Sequence, residues 1–119
     1  MMLSKTRSRA KRGTTRVRKH FQEHLDFIKA QPCACFLTHG FECRGQVVAA
    51  HYRTAGNAGT GTKPHSGFTA PLCDGHHKFQ HQHGQRAFEK RYGLSMLAVC
   101  KRWAAVSPVP KVREFARGM

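Results

Sequence analysis

Two kinds of metal-directed chemistry can be read from the cysteines and histidines of this chain, and both converge on the segment Cys73 to His83. A structural zinc site asks for four soft or borderline donors held tetrahedrally, usually delivered as two close pairs from separated turns. Cys73-Asp74-Gly75-His76 is such a pair, with a glycine that permits a tight turn. Its partners must come from Cys33, Cys35 and Cys43 in the stretch CACFLTHGFEC. Cys33 and Cys35 are separated by one residue, a poor bite for a single ion. The favoured set is therefore Cys35, Cys43, Cys73 and His76, with Cys33 as the substitute ligand. Cys100, on the apolar face of a predicted helix, reads as an ordinary core residue.

The second chemistry lies one residue further on. His77 and His81 are four apart on what should be the helix leaving the knuckle, so they point to one side and can share a cation. His76 projects elsewhere, which suits it to the zinc, and one helix then serves two metals. His83 faces away as a surface residue or phosphate contact. His51 ends a strand, where a hairpin could hold it opposite His77. Hydrolysis of a phosphodiester needs a base to activate water, a cation to stabilise developing charge, and groups that hold the backbone. His51 can be the base, a cation at His77 and His81 the electrostatic element, and Arg53 or Lys63 the clamp.

The elements that must position these groups follow from pattern. Val17, Phe21, Leu25 and Ile28 recur at helical spacing, with Thr14 or Thr15 as a cap and Pro32 as a stop. Gln46 to Tyr52 and Phe68 to Leu72 read as short strands, joined by a long glycine-rich loop over residues 54–67. Beyond the histidine-rich helix, Arg86 to Tyr92 reads as helix with Gly93 as its stop. Ser95 to Ala105 reads as another, burying Leu97, Cys100, Trp103 and Ala104. Pro108 and Pro110 break that helix and leave a basic tail.

Composition points to the ligand. Twenty-one Lys and Arg against six Asp and Glu give a formal charge of +15, the electrostatic footprint of a nucleic-acid binder. Lys5, Arg7, Arg9, Lys11 and Arg12 fall within residues 1–13, which hold no acid and almost nothing to bury. That stretch reads as a disordered basic arm that reaches phosphates. The eleven aromatics form no legible stacking platform, which weighs against an RNA-binding role. No apolar run approaches the ~18 residues of a membrane helix and no secretory leader is legible, so a cytoplasmic protein with five reduced cysteines is expected. Apolar residues, at 39%, are thin for a chain standing on burial alone, and a metal staple is expected.

Residues 33–93 resemble the HNH endonucleases, and more closely the small phage and prophage recombination nucleases that include the RecA-dependent recombination-enhancing group. The stretches that carry the resemblance are PCACFLTHGFEC, VVAAHYRTAG, GTGTKP and PLCDGHHKFQHQHG. It implies a ββα-metal core with a treble-clef zinc knuckle, a single catalytic divalent cation, and His51 as general base. Two positions depart from the pattern: Ala50 stands where the family often has a His or Asp ligand, and the central Asn is absent near Phe68.

The chain therefore reads as an α+β protein. A nuclease domain over residues 14–106, a small ββα-metal core with a treble-clef zinc knuckle flanked by helices, lies between the disordered arm (1–13) and a basic C-terminal tail (107–119). The expected function is a DNA endonuclease or nickase of phage or bacterial recombination with little sequence preference. It would use structural Zn2+ and catalytic Mg2+ or Mn2+, with DNA and a recombinase filament as partners. The alternative is a non-catalytic zinc-knuckle module that binds DNA or a recombinase.

Overall fold

The computed structural model describes residues 18–53 and 64–119. The basic arm, with Lys5, Arg7, Arg9, Lys11 and Arg12, the caps Thr14 and Thr15, and Lys63 lie outside the described residues.

Helix α1 spans Gln22–Lys29. Its start falls at Phe21, whose extended backbone donates its N–H to Ser66 Oγ at 2.9 Å. That long-range bond replaces a side-chain cap and sets the helix phase. Phe21, His24 and Ile28 turn inward, while Leu25, expected on the buried face, is only half-buried.

After Pro32 the chain forms α2 (Phe36–His39) and a 3-10 turn (Gly40–Glu42), then β1 (Val47–His51). Strand β1 pairs antiparallel with β2 (Thr69–Cys73), Val47 opposite Cys73 and His51 opposite Thr69. Both strands fall within a residue or two of the sequence expectation. Strand β2 is buried throughout because α1, α3 and α5 pack against it.

Strand β2 runs directly into α3 (Asp74–His83), followed by α4 (Gln85–Tyr92) and α5 (Met96–Ala105). Gly93 closes α4 in the left-handed region at φ +63°, a conformation a side chain would oppose. Ser95 Oγ then accepts the Ala98 N–H at 3.1 Å and caps α5. This start point directs Met96, Val99, Cys100 and Ala104 inward and leaves Leu97, expected in the core, 38% exposed. The main core joins Leu72, Phe88, Tyr92, Met96 and Cys100 to the hairpin and the knuckle cysteines.

Residues 107–119, expected as a tail, contain helix α6 (Pro110–Ala116). Proline in the first turn gives up an N–H that has no helical partner there, so Pro110 starts a helix rather than ending one. Val112 and Ala116 pack with Phe21, Ala104 and Val109 in a second core. At this joint Ser107 Oγ accepts the Val109 N–H (3.1 Å) and is hydrogen-bonded to His24 Nδ1 at 2.8 Å. The other ring nitrogen of His24, Nε2, is buried without a partner among the described residues. Burial, reinforced by His65, holds the His24 pKa down to about 4. Among the described residues no helix is long and apolar enough to cross a membrane.

Candidate functional site

The turn before β1 and the junction of β2 with α3 bring four donors together. The ligand atoms of Cys33, Cys43, Cys73 and His76 all lie within 4.8 Å of one another. His76 Nδ1 is 3.4 Å from Cys33 Sγ, 3.8 Å from Cys43 Sγ and 3.1 Å from Cys73 Sγ. Donors around a tetrahedral zinc, at ~2.0–2.3 Å from the ion, are about 3.5–3.8 Å apart. The cluster could hold a zinc ion.

Cys33 rather than Cys35 completes the set, which corrects the favoured ligand list. The one-residue spacing excludes both from binding one ion in the same manner but does not choose between them. The choice follows from the chain path: Ala34 N–H is tied to Pro71 O at 2.7 Å, and the Cys35 N–H donates to Cys33 Sγ at 3.5 Å. Cys35 thus supports the ligand instead of being one. The Cys73 sulfur accepts two such bonds, from His76 N and Arg44 N, both at 3.4 Å. Cys73 is also the N-cap of α3, so one sulfur serves as ligand and starts the helix.

The hydrogen bond with Cys35 draws the Cys33 pKa down to about 4 against the effect of burial, and the same bond pushes Cys35 up. Burial, then the Cys33 charge, pushes Cys43 up to about 12. A thiolate is thus favoured at Cys33 and opposed at Cys35 and Cys43, and a dication beside Cys43 would relieve that opposition.

A further layer orients His76. Its ring is 1% exposed, with Nε2 3.7 Å from Glu42 Oε1 and otherwise unpartnered among the described residues. Glu42 in turn accepts from Tyr92 Oη at 3.0 Å and from Arg91 Nη2 at 2.8 Å. Burial raises the Glu42 pKa, but Tyr92 and Arg91 outweigh it and hold the carboxyl below its usual range. With Nδ1 given to a metal, Nε2 carries the proton and faces a carboxylate, the arrangement that fixes ring orientation in many zinc sites. Gly45 makes the turn possible: at φ +75°, an added Cβ would run into the Asp74 carboxylate. That carboxylate accepts the Gln46 N–H at 3.0 Å.

On the outer side of α3 a cavity of about 360 Å³ is lined by Ala49, His51, Arg53, His77, Gln80, His81 and Gln85. His77 Nε2 and His81 Nε2 are 3.0 Å apart. Two nitrogens ~2.1 Å from one ion and at right angles would be separated by about 3.0 Å. The two rings are hydrogen-bonded to each other, and the same separation is also compatible with two adjacent positions of a six-coordinate cation. Burial, then the neighbouring His81, lowers the His77 pKa and favours the neutral ring a metal requires. His51 lines the same cavity but does not join the pair in a close three-ligand group. Ala50 is fully buried, so β1 offers no ligand at that position. Arg53 lines the cavity, whereas His83 is exposed on α3. Cys100 is fully buried, and burial pushes its thiol up to about 12, as for a core residue.

Sequence reasoning passed over Glu42, Gln80 and Gln85. Glu42 sits beside Cys43, and a carboxylate next to a ligand cysteine is the signal that could have found it.

A two-stranded sheet, a Cys3His cluster compatible with zinc and an adjoining histidine pocket define a small mixed α+β domain. The chain belongs to the family described as "Protein of unknown function (DUF968)", whose profile matches residues 10–106. It is also similar to "Uncharacterized protein YdfU" of Escherichia coli (strain K12), at 35% identity over 76 residues. That match covers 63% of this chain and 20% of the relative, so the chain spans about a fifth of the relative's length. No solved structure matches the chain.

Proposed function

We propose that the protein is a zinc-stabilised, divalent-cation-dependent endonuclease or nickase acting on DNA with little sequence preference. The observation that carries the reading is the His77–His81 pair, 3.0 Å apart in a cavity that His51 and Arg53 also line. The HNH resemblance, the +15 charge and the direct run of a two-stranded hairpin into α3 agree with it.

In this reading His51 takes the proton of the attacking water while Arg53 holds the phosphate, with Lys63 and the charges at Lys5, Arg7, Arg9, Lys11 and Arg12 gripping flanking DNA. His77 and His81 would hold Mg2+ or Mn2+, which would supply electrostatic stabilisation of the developing charge. The Cys33–Cys43–Cys73–His76 cluster, with zinc bound, would secure the start of α3 and so the aim of both histidines. A recombination setting, with a recombinase filament as partner, follows from the resemblance.

A plasmid-nicking assay with Mg2+ or Mn2+, with and without EDTA, tests the proposal. Cleavage that needs the added cation supports it. DNA binding without cleavage under every cation would instead favour a second reading, a non-catalytic zinc module, for which the observation is that no carboxylate among the described residues lines the cavity, β1 giving it Ala49 and His51 while Ala50 packs in the core.

A further inference from the structure

A second cavity, of about 300 Å³, lies between the start of the described chain and α6. Its lining is Arg18, Phe21, His65, Lys111, Glu114 and Phe115. The His65 and Phe115 rings are stacked at 3.6 Å with 1° between their planes, and Phe21 is tilted against His65 at 5.5 Å. The Arg18 guanidinium lies 4.5 Å from the Phe21 ring centre. An apolar aromatic lining with cations at its mouth and one carboxylate is chemically mixed in a specific way. The half-buried Phe115 ring, backed by His65, can accept the face of a planar base, Arg18 and Lys111 attract a phosphate, and Glu114 can accept from a ring N–H or an exocyclic amino group of the base. The volume is at the lower end of ligand pockets, the size of one nucleotide rather than a peptide.

The position of the cavity matters as much as its lining. His51 pairs with Thr69 at one end of the hairpin, and Tyr52 N–H donates to Phe68 O just beyond it at 2.8 Å. Phe68 meets Phe115 edge-on at 5.4 Å, and His65 lies three residues upstream. The aromatic cavity therefore opens beyond the same end of the hairpin that carries His51.

We propose that this cavity binds one unstacked nucleotide of single-stranded DNA, its base on the half-buried Phe115 ring, which His65 backs, and its phosphate on Arg18 and Lys111. The site is separate from the histidine pocket and needs no catalysis to exist. It makes gapped, flapped or single-stranded DNA a better ligand than intact duplex. The stacking platform that was not legible in the sequence arises from residues 65 and 115, brought together only by the fold.

The test uses the full, zinc-loaded chain and fluorescence anisotropy at fixed salt. A dT12 oligonucleotide is compared with an abasic 12-mer of equal charge and with a 12-base-pair duplex. The expected result is at least 10-fold tighter binding of dT12 than of the abasic strand, the scale of base–aromatic stacking. Phe115→Leu should erase that preference, and the Arg18→Ala, Lys111→Ala double variant should weaken both single strands about equally. Should Phe115→Leu fail to fold, the His65 and Phe115 ring resonances of the parent protein still decide the matter, by shifting with dT12 and not with the abasic strand. Equal affinity for dT12 and the abasic strand overturns the proposal, as does tighter binding of duplex or of RNA alone. None of these readouts depends on cleavage, so a failed nicking assay leaves this test intact.

Discussion

Helix α3 carries two histidine groups of opposite character, and they begin one residue apart. On its inner side, His76 joins three cysteines in a cluster that is buried, closed and oriented by Glu42, Tyr92 and Arg91. On its outer side, His77 and His81 form an open pair beside a cavity, with no third ligand close by among the described residues. A four-coordinate closed site has no position to offer a substrate, whereas an open one does. Under the proposed function the labour divides along one helix: the inner histidine would hold the fold and the outer ones would face the ligand.

The division is tested most severely at Cys73. Cys73→Ser removes a ligand and alters the α3 cap together, and zinc stoichiometry near zero with loss of cooperative melting is expected. A folded, zinc-free variant with parental helix content would end the claim that the inner site is structural. His51→Ala bears on the outer site alone: zinc content, melting and DNA affinity should persist while cleavage falls roughly 100-fold or more. Unchanged cleavage would remove His51 from the proposed chemistry.

Glu42→Gln sharpens the inner side, since loss of the charge facing His76 Nε2 should weaken zinc retention about 10–100-fold in chelator competition. His81→Ala should lower cleavage roughly 10-fold or more and recover in part at high Mn2+, which binds imidazole better than Mg2+ does. The same rescue in His51→Ala would mean that the two residues share one role.

The smallest effect separates both sites from the α1–α6 joint. The folded pKa of His24, about 4, lies below its ordinary 6.5, so the folded state binds fewer protons between those values. Its contribution to stability is complete above about pH 6.5 and is lost as pH falls toward 4, about 1 kcal/mol of it between pH 7 and 5.5. His24→Gln should flatten that part of the pH profile in denaturant melts with saturating zinc. A parallel profile would assign the acid sensitivity to other groups, among them His65, whose pKa burial also lowers to about 4.

The hairpin, α3 and the inward role of His76 were legible because they rest on local signals: the β-branched and small residues of VVAAH, the C-x2-H pair, and the i, i+4 histidines. Ligand choice between Cys33 and Cys35 was not, because it depends on the tie between Ala34 and Pro71, 37 positions away in sequence. The start of α1 escaped for the same reason, being fixed by Ser66. Helix α6 was missed through Pro110, a residue that ends one helix and begins another with equal ease. Val112 and Ala116, four apart, carried the opposing signal.

The adjacency of His76 and His77 has one more consequence. Each residue of an α-helix advances the side-chain direction by about 100°, so a single inserted or deleted position between Cys73 and His76 turns His76 away from the cysteines and swings the His77–His81 pair away from His51 at once. The inner group cannot drift in register without the outer one, and this stretch of the family should tolerate substitutions far better than changes of length.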